Sequence, residues 1–367
     1  MCTYNSKQIY LLAFIIIFFF KIILFYIFTV KCTAELVYFP ILNVTVFFYF
    51  DYHNLLGMLG SSTSICILVL YMINNVSAEI FQACVARLSI LSGLIDVLCC
   101  STNLIVLYLV YEISMLLLFS IICLLRKCKA WQFITPFFLS YTAGISVVTL
   151  FLLVLFYTHV KSVDYYVFIL VCENYFHSIN ISLWFVWILF TVVFLVKLPI
   201  MPFYLWLPEI YAGVSRILGF ILVGNIILRI TLKSVVLEML DSVAAVKFES
   251  FKPLVCFFFL VSLILWIQLL LILTIIFIEK NFKKFVTQLV LIHSFVGLCI
   301  YLIYLVGGGV NLFIVCFHIF ISLFLLLLMD IVYSYFWIRW LKHYLGVNKK
   351  IPKWSIFTLL SGKLWFL

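Results

Sequence analysis

Charge is the scarcest commodity in this chain: 10% of its 367 residues are charged, and only 13 are acidic. Soluble domains carry roughly a quarter charged residues to cover their surface, so a water-soluble globular fold is excluded. Proline is scarce as well, 7 in all, which lets helices run long; yet Pro199, Pro202 and Pro208 crowd into one short stretch. The 12 cysteines include no CxxC spacing and a single adjacent pair, Cys99 and Cys100. That pattern argues against a thiolate metal site or a disulfide framework and leaves the thiols as small apolar residues inside helices. Gly307, Gly308 and Gly309 form a turn signal with no strand before it and no phosphate-loop pattern, so no nucleotide site is visible, nor a flavin or quinone site.

What is present is apolar: 68% hydrophobic residues, 40 phenylalanines and a mean hydropathy of +1.33. The expectation is an all-α polytopic membrane protein. A strongly U-rich coding sequence would yield such phenylalanine runs, which fits an organelle gene, although lipid-facing helices alone would also enrich these residues. Apolar runs near the ~20 residues that cross a ~30 Å hydrocarbon layer fall at 9–30, 55–73, 80–99, 103–125, 133–157, 181–199, 212–231, 253–278, 285–306 and 310–336. The first lacks a small-residue cleavage pattern and reads as a transmembrane helix rather than a signal. The stretch 36–50 is shorter, interrupted by Pro40 and Asn43, and reads as a distorted span or an interfacial segment; 354–367 is too short to span. The net charge of +10 is gathered in connectors and speaks to topology, not nucleic acid. Arg126, Lys127 and Lys129 share one loop, Lys280, Lys283 and Lys284 another, and Arg339, Lys342, Lys349, Lys350 and Lys353 a third. The span count puts all of these on one side, the side of synthesis.

Against this apolar background the few buried charges carry the chemistry. Lys197 closes an apolar run and is followed at once by the three prolines. A lysine at membrane depth costs roughly 3 kcal/mol on insertion scales and marks a functional site facing protein or water. Each proline removes a backbone donor, so the helix breaks there, which is tolerated only where the backbone lines a cavity or is buried in protein. Glu112, inside the run 104–119, needs a basic partner or a proton of its own, and Lys197 is the candidate partner. A carboxylate that approaches or withdraws would switch the lysine between its charged and neutral forms. The bland alternative is a static ion pair between helices. Arg229 follows a similar run and could fix a field but not carry protons, unless it simply snorkels at a helix end. His293 and His318 lie in successive apolar runs and suit a relay, since histidine titrates near neutrality unaided. Lys21 snorkels or faces neighbouring helices, and Asp96, near a helix end, is expected to be solvated.

Taken in order, these residues resemble the antiporter-like membrane subunits of respiratory complex I, and within them the chain-four members. Val196-Lys197-Leu198-Pro199 through Trp206-Leu207-Pro208 matches the family's broken-helix motif; Tyr108 to Glu112 looks like its glutamate helix and 138–146 like the small-residue helix that follows. The segment 283–293 is similar to the family's lysine-to-histidine stretch, and the resemblance covers 51–329. It departs at Tyr204, where the family has histidine, at 211–215, where a histidine-glutamate-proline pattern is lost, and at Arg229, one place past an expected lysine. The resemblance implies inverted repeats with the second incomplete: helices over 1–102, a first repeat over 103–235 broken near 197–208, and a partial second repeat over 253–367. It implies proton translocation coupled to NADH oxidation in the mitochondrial inner membrane, along Glu112, Lys197, Arg229, His293 and His318, with no redox centre or metal in the chain itself. Chain-five-like and chain-two-like neighbours are the partners it implies, with the chain either a shortened subunit or one completed by a separate polypeptide; the basic loops themselves would suit cardiolipin or another phospholipid. A stand-alone cation/proton antiporter and a degenerate structural subunit are the rival readings.

Overall fold

The computed structural model describes residues 2–27, 32–39, 44–50, 52–125, 131–160, 204, 208–209, 252–281, 284–285, 287–289 and 291–292. Runs of Leu, Ile and Phe broken by little proline or glycine form helices α1 (Cys2–Ile27), α2 (Tyr52–Asn75), α3 (Ala78–Cys100), α4 (Leu104–Leu124), α5 (Trp131–Val160) and α6 (Lys252–Ile278). In lipid a helix is the form in which one segment satisfies all its own backbone groups. Each falls on an expected span to within a few residues at either end. The exception is the N-terminal one, which begins at Cys2 and stops at Ile27. Among the described residues, Ala78–Cys100 and Leu104–Ile121 are long and apolar enough to cross a membrane, at mean hydropathies of 1.9 and 2.3. The expected spans 181–199, 212–231 and 310–336 lie outside the described residues.

To the helical plan the structure adds one β-hairpin. Strands β1 (Cys32–Phe39) and β2 (Val44–Phe50) pair antiparallel, from Cys32 opposite Phe50 to Phe39 opposite Val44, with an irregularity between Glu35 and Val37. This is the stretch that the sequence suggested was a distorted span or an interfacial segment. Its β-branched and aromatic residues favour a pleated backbone, and two short strands can pair where a helix of that length could not cross. Strand β2 packs against α2 and α3. The hairpin thus sits at the end of the bundle where α1 and α3 finish and α2 begins.

Lipid tails are as apolar as leucine, so apolar burial does little to choose one transmembrane helix neighbour over another, and interhelical polar contacts gain weight. Among the described residues, four junctions carry one made by a lysine, arginine or tyrosine side chain. Lys7 of α1 donates from Nζ to the carbonyls of Ile73 (2.8 Å) and Val76 (2.7 Å) at the end of α2, and lies 5.4 Å from the centre of the Phe81 ring on α3. Lys21 of α1 pairs with Asp96 of α3. Arg87 of α3 donates to the carbonyl of Ser120 on α4 at 3.2 Å, and Tyr108 of α4 donates to that of Ser146 on α5 at 3.3 Å. Small residues do not serve this purpose at Gly60 or Gly93, where an added Cβ would meet nothing within 4 Å. Phe81, Met72, Leu88 and Leu118 fill the space between the ties.

The α3–α4 link is buried and polar. Asn103 caps α4, its Oδ1 accepting from the backbone N–H of Ile105 at 3.0 Å and of Val106 at 3.4 Å, which satisfies donors the helix start leaves open. On the outside, Ile9, Leu12, Ile16, Phe19, Phe20 and Ile23 leave a continuous apolar face on α1 exposed, as a lipid-facing helix requires. Lys7→Met should lower the stability of the detergent-solubilised protein by about 2 kcal/mol, because hydrogen bonds from a charged donor are worth roughly 1.5–3 kcal/mol each and this one is only partly buried. A thermal-denaturation midpoint equal to that of the parent would refute the claim that Lys7 ties α1 to α2.

Candidate functional site

Glu112 occupies the ninth position of the 21-residue α4, close to its middle. At 1.5 Å per residue it is about 12 Å from one end and about 18 Å from the other, the depth at which a carboxylate is hardest to hydrate. The side chain is half-buried, and its Oε1 is shut off from solvent. Tyr108, one turn earlier on the same face, lies within electrostatic reach of that carboxylate and also meets Ser146 and Thr149 of α5. The Ser146 carbonyl accepts from both the Tyr108 hydroxyl and, at 2.7 Å, the Thr149 hydroxyl. The spacing of four residues between Tyr108 and Glu112 puts both toward α5. Leu109, Ile113 and Leu116 face outward. The α4–α5 seam is therefore polar along this stretch.

Lys197, Arg229, His293 and His318 lie outside the described residues. What is described of their surroundings is the far end of the proline-rich stretch. Tyr204 and Pro208 are buried, and Glu209 forms an ion pair with Lys284, which follows α6. Thr287, Gln288 and Leu291 are buried on the segment that this lysine opens. The stretch after Lys197 and the stretch before His293 are thus joined. Glu209 and Lys284 are both substantially open, and such pairs contribute about 1 kcal/mol or less. Lys284→Ala should accordingly leave the melting temperature within a degree or two, and a drop of several degrees would show a larger role.

Asp96 is not solvated. Lys21 Nζ donates to its Oδ1 at 2.8 Å and lies 2.7 Å from Oδ2, with side-chain exposures of 7% for the lysine and 21% for the aspartate. Asp96 is one turn from the end of α3, but α1 packs against α3 and brings Lys21 onto the carboxylate, so nearness to a helix terminus does not mean full exposure to water. The sequence signal was available as matched depth. Lys21 lies 14 residues beyond Lys7, and Asp96 lies 15 beyond Phe81, the ring beneath Lys7. In helices α1 and α3, which run the same way, those spacings bring the two charges level.

The cysteines described, Cys66, Cys84, Cys99, Cys100 and Cys123, are free thiols at buried or half-buried helix positions. Among the described residues no three His, Cys, Asp or Glu side chains gather as they would to hold a metal.

The fold of this helical bundle is shared with a chain of respiratory complex I. The chain superposes on a chain of the structure described as respiratory complex I from Thermus thermophilus with bound NADH, at a TM-score of 0.76 and 15% identity, covering 98% of this chain and 74% of that one. In sequence it is 30% identical over 198 residues to NADH-quinone oxidoreductase subunit N of Campylobacter lari, a match covering 53% of this chain and 38% of the relative. The matched part is well under half of that relative's own length. No family model matches the sequence.

Proposed function

We propose that this chain is an antiporter-like membrane subunit of a proton-translocating NADH:quinone oxidoreductase, of the chain-four type and from a mitochondrial inner membrane. The observation that carries the reading is the shared fold, which takes in 98% of the chain. The identity with subunit N and the depth of Glu112 in α4 support it. The subunit holds no redox centre. Electron transfer elsewhere in the assembly biases Glu112 and Lys197, and Arg229, His293 and His318 pass protons on toward neighbouring membrane subunits. In this reading 103–235 and 253–367 are related repeats and Lys197 sits at the break in the first. Phospholipid, cardiolipin included, fills the seams beside the basic loops.

The test is capture of the chain from its own membranes in mild detergent. NADH:quinone reductase activity and the other subunits of the complex should co-purify with it. Recovery of the chain alone, exchanging cations for protons in vesicles without NADH, would replace this reading with that of a stand-alone antiporter.

A further inference from the structure

Of those four polar junctions among the described residues, three are made by hydrogen bonds to backbone carbonyls, which any donor of suitable reach could supply. The α1–α3 junction alone among them uses two full charges. A buried ion pair is a poor way to add stability, because the desolvation of both groups offsets their attraction. Intramembrane ionisable pairs far more often mark a place where charge moves. The surroundings suit that role. Ser92, Asp96 and Cys100 follow one another at four-residue spacing and so form one stripe along α3. Beyond Cys100 the chain continues through Ser101, Thr102 and Asn103, all buried, and the Ser101 hydroxyl has no hydrogen-bond partner. Among the described residues, the titratable groups within electrostatic reach of the pair are Cys66 of α2 and Cys100 of α3. Cys66 also contacts the Phe14 carbonyl at 3.7 Å, and Cys100 the Met58 sulfur at 3.6 Å. At 1.5 Å per residue, Asp96 and Lys21 lie about 6 Å and about 9 Å inside their helix ends, beneath the hairpin.

We propose that the Lys21–Asp96 pair is a second proton-holding site, separate from Glu112, that exchanges its proton with the membrane face on which the hairpin lies. The step moves one proton along the existing hydrogen bond from Lys21 Nζ to Asp96, converting ammonium and carboxylate into neutral amine and carboxylic acid. The acid then gives that proton up past Cys100 and Ser101, and the amine is recharged by another. No oxidant or further reactant is needed. The partly open side of Asp96, and not the more enclosed Lys21, is where the proton leaves.

The proposal rests on the reading of the chain as a proton-translocating subunit, and the experiment separates the two. Infrared difference spectra of native membranes are recorded on adding NADH, for the parent and for Asp96→Asn, Asp96→Glu and Glu112→Gln. The expected result is a protonated-carboxyl band that is lost in Asp96→Asn, shifts in Asp96→Glu and persists in Glu112→Gln. Asp96→Glu keeps the charge and the tie between α1 and α3, so it still reads the site if the asparagine variant fails to assemble. A band unaltered by Asp96→Glu, beside one that responds to Glu112→Gln, overturns this proposal alone and leaves a static clamp. The absence of any NADH-induced carboxyl band, Glu112's included, overturns both.

Discussion

Glu112→Gln is expected, on the proposed reading of a proton-translocating subunit, to lower the protons moved per NADH oxidised at least about tenfold for this subunit's share, with the complex still assembled. Glutamine fills the same volume and keeps a hydrogen-bonding oxygen, so α4 should hold its place. What it loses is the ability to carry a charge or exchange a proton. A tenfold loss corresponds to only about 1.4 kcal/mol of barrier, a modest demand on a group placed near mid-membrane, where the alternative route for a proton is unassisted. In the proposed reading Lys197 is the cation that biases this carboxylate, and Lys197→Met should then act in the same direction. The measurement is acidification of sealed vesicles followed alongside NADH oxidation in the same sample. An unchanged ratio in Glu112→Gln would remove this residue from the pathway and favour a subunit that serves only to hold the assembly together.

The second large effect concerns stability. Asp96→Ala alone should cost about 3 kcal/mol, the low end of the 3–5 kcal/mol range for stranding one member of a buried pair, because a fifth of the aspartate side chain remains open. Lys21→Met combined with Asp96→Leu should recover most of that loss, since packed apolar residues replace a buried ion pair at little cost. The comparison is of thermal midpoints of the solubilised complex. Equal destabilisation in the single and double variants would mean that the cost comes from packing rather than from the stranded charge. A double variant that is stable but impaired in pumping is what a proton-holding role requires.

Much of the helical plan was legible in the sequence, because hydropathy over some twenty residues reports directly on what lipid demands. The segments read at 80–99 and 103–125 became Ala78–Cys100 and Leu104–Leu124. The hairpin was not legible, because a short apolar stretch fits a strand, an interfacial helix or a bent span equally well until partners are known. Its Val-Thr-Val-Phe-Phe-Tyr-Phe run was the available hint. Of the candidate site, Glu112 stands where its position in the run placed it. That Lys21 faces neighbouring helices was one of its two readings, but its pairing with Asp96 was not legible, because nearness of Asp96 to a helix end says nothing of its depth beside a neighbouring helix. Lys7 and Arg87 make their contacts through backbone carbonyls, which no side-chain pattern announces.

The ion pair between α1 and α3 also bears on how the chain enters its membrane. Its partners are 75 residues apart, with the hairpin and the whole of α2 between them. While the ribosome is still making that stretch, α1 carries a cation whose counter-charge does not yet exist. The first helix therefore has reason to remain beside the insertion machinery, with Lys21 kept wet, until α3 arrives. The contact that joins α1 to α3 can form only once α3 has been made, so the packing of the first three helices is expected to be completed together rather than span by span.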